Sequence, residues 1–499
     1  MSTRRMVDVM VLGGRTGPLS AACLLARRGY KVLHVEHEGL SSYYMDDGLA
    51  LPLEPDLVPG PKSSPVIARV LDALALATDA QRMIRRVVPD LQVISPGHRF
   101  DLSLDANRRD RELSRELGPE EAERAQRALY DLLAADEALD PLLEALPPLP
   151  PAGFRESRVL RKAAAEIPLD GPSPLPIETP PLEGALHGLA RLSSYLWAEQ
   201  PGHLHSVRSR ARLLRGGVHR LDRTEEKRGG GYAPLLRRRL EELGGESLRE
   251  GQAVCEEILI EKGQIAGLKV LGETTDYRCR YLVSGLDTGA LRRLLPLEGR
   301  RRKYDTELER VRSREMLFTL NLVLNRRGLP QGLGEAAIHL TGKRGVEENM
   351  LLLEKFEAVG EDGPLPEMVV LQASCFLPVT RRELGDGYLE EMRERVLSVL
   401  EADLLPFLQR HLVLASSPLL TRKGPARGAR LTPHPLLQSD IEPALGVGLL
   451  APHTPYKNLV LAGREVAPGL GVEGEFLTGH RAAEIVAHAA RKHDPLKRQ

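Results

Sequence analysis

Residues 7–36 constrain this chain more than any other stretch. Val7–Leu12 is an apolar run that meets Gly13-Gly14-Arg15-Thr16-Gly17-Pro18. An alanine- and leucine-rich segment (Leu19–Arg28), Gly29, and a second apolar run (Val32–Val35) ending on Glu36 follow. The pattern reads β-turn-α-turn-β, with an acid about twenty residues after the turn, which is the dinucleotide-binding arrangement. Its three glycine places serve the tight turn, the close approach of a pyrophosphate, and helix–strand packing. Counted back from Glu36 they fall on Gly13, Arg15 and Pro18, so one of the three is kept. Gly14 and Gly17 offer a turn in another register. Pro18 suits the first turn of a helix but removes an amide.

Composition bounds the rest. At 499 residues two interleaved or sequential domains are expected. Lys+Arg and Asp+Glu are equal at 69 each, and aromatics make up 4%, which argues against nucleic acid as a partner. Cys23, Cys255, Cys279 and Cys375 have no metal-ligand spacing, so no metal is expected and free thiols in a reducing cytoplasm are. No run of ~20 apolar residues predicts a membrane span; peripheral membrane contact stays open.

Along the chain, Pro52–Pro65 reads as loop and Val66–Ala77 as helix. Asp101–Leu146 is charged with helical spacing, and Ala125, Leu129, Leu132 and Leu133 form its apolar stripe. Leu182–Trp197 and Tyr232–Leu243 are further helices. Val254–Ile260 and Ile265–Leu271 predict a hairpin, and Tyr281–Ser284 a short strand. In Met316–Leu324, Phe318, Leu320, Leu322 and Leu324 face one way, and Thr319, Asn321 and Asn325 the other. Val369–Phe376 is similar, and a half-buried mixed or antiparallel sheet is expected. Tyr388–Leu400 is an amphipathic helix, Leu459–Ala462 a strand, and roughly Phe476–Arg491 the final helix.

Three separated blocks carry a resemblance. Val11–Glu36 resembles the N-terminal unit of the phytoene desaturase and amine oxidase superfamily of FAD-dependent flavoproteins. Asn458–Gly463, Pro468–Gly474 and Gly479–Ala483 are similar to that superfamily's C-terminal flavin segment. Gly251–Leu271 followed by Tyr281–Asp287 is similar to its middle. The resemblance implies an α/β fold: an FAD/NAD(P)-binding Rossmann-like domain, an interleaved mixed-sheet substrate domain, and a helical insertion. The expected division is 1–65 with 215–300 and 440–499 for the first, 301–439 for the second, and 66–214 for the largely helical insertion. It implies cofactor contacts from Gly13, Gly14, Arg15, Gly17, Glu36, Val254, Gly463, Arg464, Gly471, Val472 and Glu473. Glu36 would receive ribose hydroxyls, Val254 the adenine end, and the Gly469–Gly474 helix entry the flavin ring carbonyl or another anion.

The sequence also departs from the pattern. The glycine-pair motif expected after Glu36 is His37–Tyr44, and the acid expected after Gly463 is Arg464. Two functions therefore stand side by side. One is an FAD-dependent oxidoreductase that takes a hydride from an apolar substrate such as an isoprenoid, in which the Met316–Leu324 sheet floors the substrate chamber. The other is a cofactor-free relative that binds a lipid, a prenyl group or a protein partner, as the Rab GDP-dissociation inhibitors and escort proteins of this fold do. Lys31–Glu36 is similar to the second strand of those proteins. A homo-oligomer and a membrane-peripheral location fit either reading.

Smaller features are read as structural. Arg208, Arg210, Arg212, Arg215 and Arg220, followed by Lys227 and Arg228, are expected to form a solvated face, with an anion site as the alternative. His203 and His205 are expected to be satisfied or exposed, and Trp197, Tyr43 and Tyr44 to pack. His453 and Tyr456 are placed beside the flavin ring. No catalytic residue is assigned.

Overall fold

The structure is a computed structural model that describes residues 4–37, 43–88, 90–165, 178–197, 203–221, 231–248, 255–271, 275–297, 300–341, 350–379, 386–420 and 434–491. Val254, Lys227 and Arg228 lie outside the described residues, as does the side chain of His203.

The opening β-turn-α-turn-β forms as its pattern predicts: strand Arg4–Leu12, helix Thr16–Arg27, strand Val32–Val35. These strands lie in a seven-stranded sheet, ordered Glu246–Leu248, Val32–Val35, Arg4–Leu12, Asp276–Ser284, Gln264–Val270, Cys255–Glu261. The strand Leu459–Leu461 pairs in parallel with the end of Asp276–Ser284, where Ser284 meets Leu461. The hairpin turns through Lys262 and Gly263, both with positive φ (51° and 73°), as a two-residue hairpin loop requires. The helix Thr16–Arg27 is buried from Thr16 to Ala26. Its small residues let the last helix, Gly471–Arg491, and the helix Ala233–Glu242 pack on it from two sides.

A second sheet has ten strands, built on the long antiparallel pair Val311–Asn325 and Gly363–Pro378. Phe318, Leu320, Leu322 and Leu324 pack beneath the helix Asp386–Asp403 in one apolar cluster. On the opposite face Thr319, Asn321, Glu354, Gln372 and Ser374 are all buried. Asn321 donates to the Tyr44 hydroxyl at 3.1 Å and to the Pro52 carbonyl at 2.8 Å. The hairpin Tyr43–Pro52 thus covers this face at Asn321, so the strand expected to be half-buried is buried on both faces there. The 66–214 stretch is largely helical, but Leu91–Ser95 and His98–Leu102 leave it to extend the second sheet.

The arginine-rich helix His203–Arg215 departs from expectation. Arg208 and Arg212 are among the largest fully buried side chains, and Arg220 is buried too. Arg208 donates to Asp136 at 2.8 Å, to Asp140 at 2.8 Å, and to both Glu473 oxygens at 3.0 and 3.1 Å. Arg215 pairs with Asp136 and Asp140. A face read as solvated is instead a buried ion network joining the helical insertion to the last helix. Its acids stand far away in the sequence, which is why local charge density misled. Burial alone would raise the Glu473 carboxyl; Arg208 and Arg212 overcome it and hold it at about 2.

The last helix begins at Gly471, preceded by one 3-10 turn at Pro468–Leu470, several residues earlier than periodicity suggested. Gly471 and Gly474 have poor helix propensity, yet a Cβ on Gly471 would collide with the Ser193 carbonyl, and one on Gly474 with that of Ala467. Close packing overrides propensity here. All four cysteines are buried and free.

Candidate functional site

The two chain ends meet. A Cβ on Gly17 would collide with the Ala462 carbonyl, and one on Gly479 with the Gly17 carbonyl. These glycines let the N-terminus of the first long helix lie directly against the end of Leu459–Leu461 and the side of the last helix. Gly13 takes φ of 111° at the turn, a conformation that favours glycine. Arg15 stands at the N-cap with φ of −84°, so its backbone needs no glycine. Pro18 packs on Gly285, where any Cβ would strike the proline ring. The close approach expected from a third glycine is thus supplied by the opposing strand end.

Protein charges occupy three stations along this seam. At the first, Glu36 lies over Gly14, where a Cβ would come within 2.6 Å of its Oε1. Arg237, from the helix Ala233–Glu242, pairs with Glu36. At the second, the Gly17 amide donates to Glu475 Oε2 at 3.2 Å, and the Tyr195 hydroxyl donates to Oε1 at 2.7 Å. A carboxylate therefore sits at a helix N-terminus, where amide and dipole both favour an anion. Burial, then the neighbouring Glu475, pushes the Tyr195 phenol well above its ordinary value.

The third station lies where the two sheets approach. Arg15 Nη1 stands 3.6 Å from Glu54, and the His434 amide donates to Glu54 at 3.2 Å. Burial would raise the Glu54 carboxyl, but Arg15 and then Arg464 hold it below its ordinary value. The Arg464 guanidinium lies 5.0 Å from the Tyr195 ring centre. The His434 ring stands 4.9 Å from Tyr195 and 5.7 Å from Phe376. Burial, then Arg464, lowers His434 to about 4, so it is neutral at pH 7. Its Nε2 lies 2.8 and 3.0 Å from the Arg191 and Ser194 carbonyls. Those acceptors assign the proton to Nε2 and leave Nδ1 as an acceptor.

Of the residues singled out from sequence, Gly13, Gly14, Arg15, Gly17, Glu36, Gly463 and Arg464 fall along this seam. Gly471 is covered by Ser193, Val472 packs on the main core, and Glu473 turns into the arginine network. Tyr456 packs at 6.3 Å from Tyr304 in the core cluster on the other side of the first sheet. Tyr44 is a buried packing residue, Trp197 stacks under Arg314 at 4.5 Å, and His205 Nε2 meets Ser194 Oγ at 2.9 Å. Sequence reasoning missed Glu54, Tyr195, Arg237, His434 and Glu475. Of these Glu475 carried a signal, as an acid beside Phe476 and Leu477 in a buried stretch.

No family model matches the chain, and no curated protein does. Solved structures do. An oxidoreductase from Methanosarcina mazei matches with TM-score 0.56 and 15% identity, over 96% of this chain and 100% of that one. Wild-type putrescine oxidase bound to putrescine matches with TM-score 0.57 and 14% identity, over 97% and 100%. The chain shares the fold of these two proteins. The cyclohexylamine oxidase of Brevibacterium oxydans IH-35A shares it, with TM-score 0.54 and 15% identity over 97% and 99%. Among the described residues no helix is long and apolar enough to cross a membrane, and no cluster of His, Cys, Asp and Glu could hold a metal.

Within this fold the fit of FAD is mixed. The glycine turn, the strand-end acid Glu36 and the anion-favouring amide of Gly17 suit a dinucleotide. Against that, Glu36 is already paired with Arg237, and the Gly17 amide already donates to Glu475.

Beside the seam, Glu465 accepts from the Thr288 amide at 3.1 Å, and Asp287 caps the same short helix through Ala290. Burial, then the Asp287 charge, raises Glu465 to about 7. Its folded value lies above its ordinary value of 4.5, so the stability it contributes is present below pH 4.5 and lost as pH rises through 7. Glu465→Gln is therefore expected to stabilise the protein at pH 8 by up to about 3 kcal/mol and to leave pH 4 nearly unchanged. Denaturant melts at the two pH values measure this.

Proposed function

We propose that the chain is an FAD-dependent oxidoreductase acting on an apolar small molecule. The observation that carries this reading is the anion site at Gly17, where the first long helix, the strand end at Ala462 and the last helix converge. Glu36 would hold the ribose hydroxyls, the Gly17 amide and helix dipole the diphosphate, and Gly463 and Arg464 the flavin end. The flavin, when bound, supplies the hydride acceptor. The chain's own part is to position and to exclude water. Tyr195, Phe376 and His434 wall the junction between the sheets with ring surface. Glu54, held ionised between Arg15 and Arg464, anchors that wall and is unsuited to giving up a proton. An isoprenoid would suit the ring-lined junction better than the polar face around Asn321.

A second reading, a cofactor-free lipid- or partner-binding relative, is favoured by one observation: both Glu36 and the Gly17 amide already have protein partners. Visible absorbance separates the two. Purified protein is expected to show oxidised-flavin bands, or to acquire them on incubation with FAD. Colourless protein that takes up no FAD supports the second reading.

A further inference from the structure

Away from the seam, a cavity of about 650 Å³ opens beside the small sheet formed by Val58–Pro59, Ile84–Arg86 and Val218–Leu221. Its volume is in the range of small-molecule sites. Lys62, Arg85, Arg86 and Arg215 line it, and no aspartate or glutamate does. The carboxylates that pair with the arginines are not on the lining: Glu335 pairs with Arg85, Asp90 with Arg86, and Asp136 and Asp140 with Arg215. Those pairs fix the guanidinium groups in place without putting negative charge on the lining. Lys62 is exposed and makes no ion pair among the described residues.

The walls are tightly built. A Cβ on Gly216 would collide with Ser63, and one on Gly60 would come within 2.5 Å of the His219 ring, so the loop Gly60–Ser63 lies directly on the helix end and the strand. The Ser63 hydroxyl and amide both donate to the Gly60 carbonyl, at 2.8 and 3.0 Å, which closes that loop. His219 Nδ1 meets the Gly217 carbonyl at 3.0 Å, and Ile84 and Leu104 add an apolar patch.

The geometry points to a binding site for a small phosphate-bearing anion in this cavity, separate from the dinucleotide seam. Arg85 and Arg215 give both terminal nitrogens to carboxylates, so the least committed donors on the lining are the exposed Lys62 ammonium and the Arg86 guanidinium, whose one ion pair among the described residues is with Asp90; ammonium and guanidinium are the donors that phosphate recognition uses. The apolar patch leaves room for a short organic group. The test is titration calorimetry with inorganic pyrophosphate on the full chain at low salt, alongside co-sedimentation with phosphatidic-acid vesicles. Lys62→Ala and Arg86→Ala serve as variants, each checked for folding by circular dichroism. The exposed position of Lys62 keeps one variant available whatever Arg86 does to the fold.

Binding of pyrophosphate that falls about tenfold or more in Lys62→Ala supports a site for a free phosphate compound. Binding to the vesicles alone, lost in the same variant, supports a lipid headgroup as the source. Two results overturn the proposal: no binding of either probe, or binding that both variants leave unchanged. Binding that Glu475→Ala changes while Lys62→Ala does not counts among the second, because it would place the anion at the seam.

Discussion

Glu475→Ala is expected to raise the affinity for FAD by at least about tenfold. The wild-type carboxylate accepts the Gly17 amide at 3.2 Å, the donor a diphosphate would need. It also opposes the diphosphate by charge: two like charges about 4 Å apart repel by about 4 kcal/mol at an effective dielectric of about 20. Relief of a third of that is tenfold in affinity. Glu475→Gln separates the two effects, because it removes the charge and keeps one acceptor oxygen for the Gly17 amide, while its NH2 can donate to the Tyr195 oxygen. Quenching of flavin fluorescence on titration measures both variants. Equal affinity in wild type and Glu475→Ala would place the diphosphate elsewhere and remove the basis for assigning the Gly17 station to it.

The second large effect concerns stability. Arg208→Met leaves Glu473 and Asp136 buried without their shared cation, and the loss is expected to be about 3–5 kcal/mol. Urea unfolding measures it. Acid gives the same network a second signature. The Glu473 carboxyl lies at about 2 in the fold against an ordinary 4.5, so its contribution is present above pH 4.5 and is lost as pH falls towards 2. In Arg208→Met that acid dependence is expected to flatten. A variant as stable as wild type would mean that the network is neutral and that apolar packing joins the insertion to the last helix.

How much of this was legible beforehand follows from the range of each interaction. The opening β-turn-α-turn-β, the 255–270 hairpin and the 459–461 strand were legible because apolar period, turn residues and glycine spacing act within a few residues. Arg15 and Pro18 were also legible as departures, although their consequence was not. Arg15 needs no glycine backbone, and Pro18 finds its glycine at position 285. The pairs Glu36–Arg237 and Gly17–Glu475 span 201 and 458 positions, so no local pattern announces them. The same holds for Arg208 with Asp136 and Glu473, where a run of cations looks solvated until distant acids arrive. The start of the last helix was hidden for the opposite reason: Gly471 and Gly474 look like turn residues and are tolerated because neighbouring carbonyls press against them.

The meeting of Gly17 with Glu475 has a consequence for biosynthesis. The opening helix leaves the ribosome 458 positions before its seal is made. At ~5–20 residues per second that is a wait of roughly 20–90 s. Throughout that interval the flank at Gly17, Ser20 and Ala21, on which Gly479 of the last helix will lie, has yet to receive its cover. The nascent protein therefore presents a chaperone with a defined client surface at its beginning, and truncation before the final helix would leave that surface permanently bare.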